Sequence, residues 1–552
     1  MSSQTEPPLQ KVKDSINPRV FIPAAAIILV FVLGAMFLGE SADTSMTNLR
    51  NWISDKLGWY YIFAVVAFIA VSFGIGLSRF GKIRLGPPDS KPEFSTGSWF
   101  AMLFSAGMGI GLVFYGAYEP LEHFVTPPFA SKSGNQEAAN DAMLVTFMHW
   151  GIHPWAIYVV LGLALAFAVH RKGKPLSLRW VLEPIFGDRV KGALGDLIDV
   201  TAVVATMFGV ATSLGLGVTQ INGGLHTLAP SVFSDDSTPV QVVCIILITS
   251  IALWSVVSGV KRGMKWLSNI NMIVAAVVLL VVLIAGPTLF IFREFFTSTG
   301  YYLQNLFSAT FNAGSFPSGG YDDAAGFQSA WTIFYWGWWI SWAPFVSVFI
   351  ARISRGRTIR EFCLGVLLVP TVLSFFWFTV MGGTSLLEEM KHMEDGQFTL
   401  GGLLEADAET GEPVPSETLS MFNLIDSLGL NSGFALVLAG LTVLLVVTFF
   451  VTSSDSGSLV IDMLSSGGNT EPPKTSRVFW AILEGVVAAG LLLVGGIEAL
   501  KNMAIILALP FSMILLLTCV AIWKALAREY DDITRTGAPP KVVAEQSSAP
   551  PS

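Results

Sequence analysis

Twelve times along this chain, a run of mostly apolar residues continues far enough to cross a hydrocarbon layer. A bilayer core about 30 Å thick needs about 20 helical residues. The runs fall near 19–39, 59–79, 98–118, 142–169, 192–225, 239–260, 267–292, 325–351, 362–387, 433–461, 478–497 and 502–526. Only 13% of the 552 residues are charged and the mean hydropathy is +0.62, whereas an ordinary soluble domain carries about 25% charge. A water-soluble enzyme is excluded. Because lipid offers no hydrogen bonds, each span must satisfy its own backbone, so the fold class is all-α integral membrane with twelve transmembrane helices.

An even number of spans puts both termini on one side, and the positive charges say which. All Lys and Arg except Arg50, Lys56, Lys132, Arg293, Lys391 and Lys501 fall in the arms and alternate loops that share a side with the N-terminus. Positive loops stay cytoplasmic, so both ends are expected on the cytoplasmic side of the membrane. The first run follows a polar arm with no basic n-region or cleavage pattern, so it reads as a retained span. The expected plan is a disordered arm over 1–18, two peripheral helices over 19–90, then a helical body over 91–526 and a short tail over 527–552. Residues 293–324, rich in aromatics, Gly and Ser, read as an outer interfacial helix and loop. Net charge is −8 with no basic run, so no nucleic-acid partner is expected. Cys244, Cys363 and Cys519 all sit in apolar runs and read as core residues.

Four features depart from plain lipid-facing helix. The third run holds Gly107, Gly109 and Gly111 at alternate positions, which reads either as a packing groove or as unwound backbone facing a wet cavity. The eighth run packs Trp336, Trp338, Trp339 and Trp342 within seven residues and adds Trp331, Tyr335 and Pro344. Tyr335, Trp339 and Trp342 share a helical face. The fourth run places Trp150, Trp155 and Tyr158 around Gly151 and Pro154. Such rings could box a quaternary ammonium, each ring contributing about 0.5–2 kcal/mol when water is excluded. Hydroxyls cluster at Thr206, Thr212 and Ser213 and again at Thr452, Ser453, Ser454 and Ser456, where they suit a hard monovalent cation or merely bond back to their own helix. Finally, His149, His153, Asp199 and Asp455 are ionisable groups inside the apolar runs. The two His would need a third ligand, absent from their span, to hold a metal; Asp455 is expected to face inward and pair with a basic loop residue.

The glycine run is third and the tryptophan run eighth; the hydroxyl runs are fifth and tenth. An offset of five spans reverses orientation, the mark of an inverted repeat of five helices, here over 91–292 and 325–526.

The segments Ala106-Gly-Met-Gly-Ile-Gly-Leu-Val-Phe-Tyr-Gly116, His149-Trp-Gly-Ile-His-Pro-Trp-Ala-Ile-Tyr158, Trp331-Thr-Ile-Phe-Tyr-Trp-Gly-Trp-Trp-Ile-Ser-Trp-Ala-Pro-Phe345 and Ala351-Arg-Ile-Ser-Arg-Gly-Arg357 closely resemble the betaine/choline/carnitine transporter family, and within it the sodium-coupled glycine betaine carriers. The resemblance covers about residues 19–526. It implies a LeuT-like five-plus-five repeat preceded by two extra helices, alternating access, a homotrimer, and sodium as coupling ion with no other cofactor. It implies an aromatic box of Trp150, Trp155, Tyr158 and Trp339, bordered by Trp338 and Trp342. The substrate carboxylate would meet Met108, Gly109 and Gly111, with Ser213 nearby. Sodium would take carbonyls of Ser105, Met108 and Phe449 and hydroxyls of Thr452 and Ser453. A second cation site at Thr206 is put in doubt, because the Thr expected one turn later is Val210.

Members that carry choline tend to place an Asp in the glycine stretch, where this chain has Gly111, so a zwitterion is expected over a proton-coupled choline carrier. A sodium-independent carnitine-type exchanger is the other rival; such members put basic or bulky groups at the cation ligands, and no Lys or Arg lies between Lys191 and Lys261 or between Lys391 and Lys474. An integral-membrane enzyme would need a catalytic cluster, for which only the His pair is a candidate. The box reads a methylated cation and not the rest of the molecule, so glycine betaine, carnitine, ectoine, proline and dimethylsulfoniopropionate all fit it.

Overall fold

Ten helices are long and apolar enough to cross a membrane in the computed structural model, which describes residues 16–107, 109–129, 131–258, 261–315 and 326–536. Three of the twelve expected runs differ in how they are built. The third is interrupted, and its halves of 12 and 16 residues are each too short to span alone. The last two follow one another without a loop across Lys474–Thr536, two helices joined at a non-helical kink at Gly495 and Gly496. Gly496 has φ 62°, a left-handed conformation that glycine adopts without a Cβ penalty.

In chain order the helices are α1 (Pro18–Leu38), α2 (Glu40–Leu77), α3 (Thr96–Gly107), α4 (Ile110–Val125), α5 (Gln136–Trp150), α6 (Ile152–Ala166) and α7 (Ala193–Leu228). They continue with α8 (Thr238–Ser258), α9 (Lys261–Ala285), α10 (Thr288–Thr310), α11 (Ile333–Ile353), α12 (Ile359–Phe378), α13 (Thr384–His392), α14 (Ser420–Ser427), α15 (Ser432–Ser465) and α16 (Lys474–Thr536). A three-residue strand pair, β1 (Leu404–Ala406) and β2 (Pro413–Pro415), ornaments the insertion before α14. The fold is otherwise helical among the described residues.

Burial separates an inner group from an outer one. The most apolar stretches of Gln136–Arg171 and of Gln328–Ile353 are each 94% buried and that of Ala193–Leu228 is 89%, against 33% for α1 and 22% for α9. A helix apolar all round is either core or lipid-facing. Phe37, Trp254 and Ile284 stand out from the outer helices, as expected of surface whose solvent is hydrocarbon. At the centre, α7 packs on α15 and α16, and α11 packs on α6 and α16.

The segment expected as an outer interfacial helix is helical from Thr288, earlier than 293, because Gly286 and Pro287 end α9 and α10 follows at once. Phe296, Leu303 and Phe307 lie on its exposed face, while Tyr302 turns inward to the Phe147 ring, 6.3 Å between centroids. Residues 316–325, which include the end of that expected segment, lie outside the described residues. At the other end α16 runs on to Thr536, well past 526. It is held there by Glu529, which accepts from Arg171 at 2.9 Å and pairs with Lys172, and by the Arg79 guanidinium 4.7 Å above the Tyr530 ring.

Candidate functional site

Both inner breaks come from glycine. Gly109 leaves helical geometry (φ −159°, ψ −131°) just before α4, and Gly151 does so (φ −97°, ψ −129°) between α5 and α6. The second break leaves the His149 carbonyl free to accept from the Trp339 indole at 3.0 Å. Of the two readings of the glycine stretch, the unwound one is what the chain adopts at Gly109.

Around the first break lies a narrow, nearly closed cavity lined by Gly109, Ile110, Gly111, Trp150, Ser213, Trp338, Trp339, Trp342 and Ser453. Its walls are rings set at steep angles. Trp150 meets Trp339 edge-on at 5.0 Å and 76° and Trp338 at 6.1 Å and 89°, while Trp338 and Trp339 stack at 4.4 Å. Such geometry is imposed by hydrogen bonds at the indole edges. Trp338 donates to Ser213 Oγ at 3.1 Å, and Trp150 donates to Glu119 at 2.7 Å. A methyl on Gly111 would stand 2.6 Å from the Trp150 ring and 2.8 Å from Trp338, so only glycine lets the backbone approach the rings this closely.

Several expected residues lie elsewhere. Trp155 and Tyr158 are buried and pair with each other at 5.6 Å, one and two turns along α6, and do not line the cavity. Their Nε1 and OH, with the Trp342 Nε1, are buried donors with no partner among the described residues. Trp336 also avoids the cavity and stacks on His153 at 5.1 Å. Met108 and the side chain of Ser105 lie outside the described residues. Phe449 passes 3.8 Å from where a Gly109 Cβ would be, and Ser453 reaches the cavity wall, so α15 runs alongside the break. The Thr452 hydroxyl donates to its own helix at the Thr448 and Phe449 carbonyls and accepts from Asn271 at 3.1 Å. Thr206 and Thr212 bond back to Ala202 and Phe208. Among the ionisable groups, Asp455 pairs with Arg477 at 2.5 Å, and Asp199 is held by Arg179 at 2.6 Å and Ser177 at 2.7 Å.

The sequence reading missed Glu119. The third apolar run ends near 118, but α4 continues through Pro120 to Val125 and buries Glu119 completely. This carboxylate accepts from Trp150, from Tyr335 and from His149 Nδ1 at 2.6 Å, with His123 Nε2 at 3.5 Å. It thus ties the third, fourth and eighth runs together behind the rings. The third ligand absent from the His149 span comes from α4: Glu119, His123 and His149 present atoms within 4.8 Å of one another that could hold a metal. The 2.6 Å contact is a hydrogen bond, however, and His153 turns away to Thr310 at 2.9 Å. Helical spacing of Glu119 and His123 was the readable signal.

At one end of the cavity, Tyr115 closes over Trp150 and Trp338 at 5.9 and 6.1 Å. Above it Lys501 bonds Glu417 at 2.9 Å and Glu498 at 2.8 Å, beside Tyr115, Trp331 and Phe334.

Against this geometry stands the match of residues 19–531 to the family model of the BCCT, betaine/carnitine/choline family transporters. The chain belongs to the betaine/carnitine/choline transporter family. It is similar to an "Uncharacterized transporter" of Mycobacterium tuberculosis, with 48% identity over 93% of this chain and 83% of the relative. It is 41% identical to a protein of Bacillus subtilis named a glycine betaine transporter, over 94% of this chain and 96% of that one. A protein of Vibrio parahaemolyticus named a glycine betaine/proline/choline transporter is 39% identical, over 93% and 91% of the two chains. As a member of this family the chain is a multi-pass membrane transporter and not an enzyme.

Proposed function

We propose that this transporter takes up a zwitterionic quaternary-ammonium compatible solute, glycine betaine above all, by sodium symport with alternating access. The observation that carries this reading is the set of crossed indole faces of Trp150, Trp338 and Trp339 around a cavity that begins where α4 begins. Ring faces attract a trimethylammonium group. The first amides of a helix lack intrahelical partners and sit at its positive end, which suits a carboxylate. The two ends of a betaine thus have complementary walls a few ångströms apart, and Gly111 admits no Asp without displacing the rings. Names of relatives that include glycine betaine support the same substrate.

The sodium ion would lie where α15 passes the break, held by Ser453 and Thr452 hydroxyls and by carbonyls of Phe449, Ser105 and Met108. Inward release would follow the buried donors of Trp342, Trp155 and Tyr158, which offer hydrogen bonds to a departing carboxylate. We count twelve spans by joining α3 with α4 and dividing α16 at Gly495, and read them as two inverted five-helix repeats after α1 and α2. Both termini would then be cytoplasmic in a bacterial inner membrane, and the assembly a homotrimer. Proteoliposomes given labelled glycine betaine, carnitine, ectoine, proline and choline under imposed sodium or proton gradients test the reading. Sodium-driven uptake of betaine ahead of choline supports it; uptake that follows only the proton gradient, or exchange that ignores both, overturns it.

A further inference from the structure

One buried histidine is left over from the packing behind the rings. His123 is fully buried on α4, two residues before its end at Val125, and neither of its ring nitrogens has a hydrogen-bond partner among the described residues. A buried polar group left unbonded costs about 1–3 kcal/mol, so an apolar ring would serve packing better here. The Nε2 is nonetheless aimed at one particular atom, Glu119 Oε1, 3.5 Å away. Trp331 and Phe327 hold the imidazole in that orientation, their ring centroids 4.5 and 5.4 Å from its own. Trp331 also lines the small polar cavity of Arg50, Glu417 and Lys501, so a single side chain separates His123 from that cavity.

The carboxylate it faces is divided between two tasks. Oε2 accepts from the Trp150 indole at 2.7 Å and from the Tyr335 hydroxyl, which serves the rings. Oε1 faces imidazoles, His149 Nδ1 at 2.6 Å and His123 Nε2. Glu119 and His123 are four apart on α4 and His149 comes from α5, and their three ligand atoms lie within 4.8 Å of one another. Two imidazoles and one carboxylate, with a fourth position open, suit an ion of the zinc class, whereas magnesium and calcium prefer sets made of oxygen. The hydrogen bond from His149 does not exclude such an ion. His149 Nε2 lies 3.1 Å from the Thr332 hydroxyl, which can accept a proton from that nitrogen. Nδ1 then turns a lone pair on Oε1, and a cation between the two satisfies both, with Thr332 fixing the ring from behind.

We propose that Glu119, His123 and His149 bind a transition-metal ion of the zinc class, and that the bound ion weakens the binding of betaine. The linkage follows from charge. Without the ion, the carboxylate sets a negative charge behind the Trp150 and Tyr335 rings, which favours a cationic headgroup in the cavity that Trp150 lines. A divalent ion on Oε1 turns the local charge positive and opposes that headgroup. Linkage is reciprocal, so betaine weakens metal binding in turn. The metal site stands on its own geometry, whereas its effect on uptake rests on betaine transport as proposed above.

The test uses untagged full-length protein, purified in detergent and titrated with cobalt(II), whose visible spectrum reports tetrahedral nitrogen and oxygen ligation, with zinc as competitor. Wild type should bind a single cobalt ion per chain with that spectrum, and zinc should displace it. His123→Phe keeps a ring beside Trp331 and should lose at least about tenfold in zinc affinity. His123→Gln, which keeps a polar group, should lose as much, and His226→Gln, remote from the cluster, nothing. In proteoliposomes zinc should raise the half-saturation concentration for labelled betaine at least about fivefold in wild type and leave each His123 variant at its own zinc-free value. Equal zinc affinity in wild type and both His123 variants overturns the site. A filled site with unchanged betaine affinity overturns the linkage. Zinc bound through His123 by a protein that takes up no betaine upholds the metal site and brings down the transport reading instead.

Discussion

At the scale of single residues the account rests on rings and on the glycine that lets them close. Trp339 stacks on Trp338 and meets Trp150 edge-on, so Trp339→Leu removes a wall of the cavity and admits water. Its half-saturation concentration for betaine should rise at least about tenfold, equivalent to about 1.4 kcal/mol, at unchanged membrane protein level. Trp336, stacked on His153 outside the cavity, should be much milder; equal effects would dissolve the distinction between the two. Gly111→Ala pushes a methyl to within 2.6 Å of Trp150 and should abolish most uptake. Gly300→Ala, where a methyl meets nothing within 4 Å, is the matched control. The tryptophan run and the glycine spacing were legible because no bland use of four Trp in seven residues competes with a site. Trp155 and Tyr158 were not placed correctly relative to the cavity by spacing alone, since the kink at Gly151 resets which face of α6 points inward.

At the scale of elements, breaks carry the function. Hydropathy finds apolar runs but not their interruptions, which is why the two halves of the third run read as one span, and why the last two, bent at Gly495 and Gly496, merge into α16. Glu119 was illegible for a related reason: a carboxylate after the last apolar residue looks like the start of a loop, and only the packing of α4 against α5 and α11 gives it three donors. Glu119→Gln keeps the shape but turns one acceptor into a donor facing donors, so we expect a tenfold or greater loss of apparent betaine affinity, read from uptake kinetics. An unchanged affinity would show that the rings hold themselves in place. Where α15 passes the break, replacing Thr452 and Ser453 together with Ala should raise the sodium concentration for half-maximal uptake steeply. Saturating sodium should restore part of the rate; a rate lost at every sodium concentration would instead point to disrupted packing.

At the scale of the whole molecule the cavity is covered at one end, the outer one on the proposed topology, by Tyr115 and by the Lys501–Glu417 pair. Lys501→Ala should favour the outward-open state, and a cysteine placed at Ile505 should then be labelled faster by a membrane-impermeant thiol reagent in intact cells; an unchanged labelling rate would deny the pair a closing role. The positive-loop pattern and the apolar runs made the membrane body legible from sequence, because they depend on the solvent alone, whereas the closure depends on side chains more than 80 positions apart. The claim on which everything else depends is that ring faces recognise a positive charge. Binding to the purified wild-type protein should be compared for glycine betaine and for tert-butylacetate, which has the same shape with carbon in place of the charged nitrogen. The account predicts that betaine binds at least about tenfold tighter at saturating sodium and that Trp339→Leu erases most of the difference. Equal affinity for the two in the wild-type protein would contradict it.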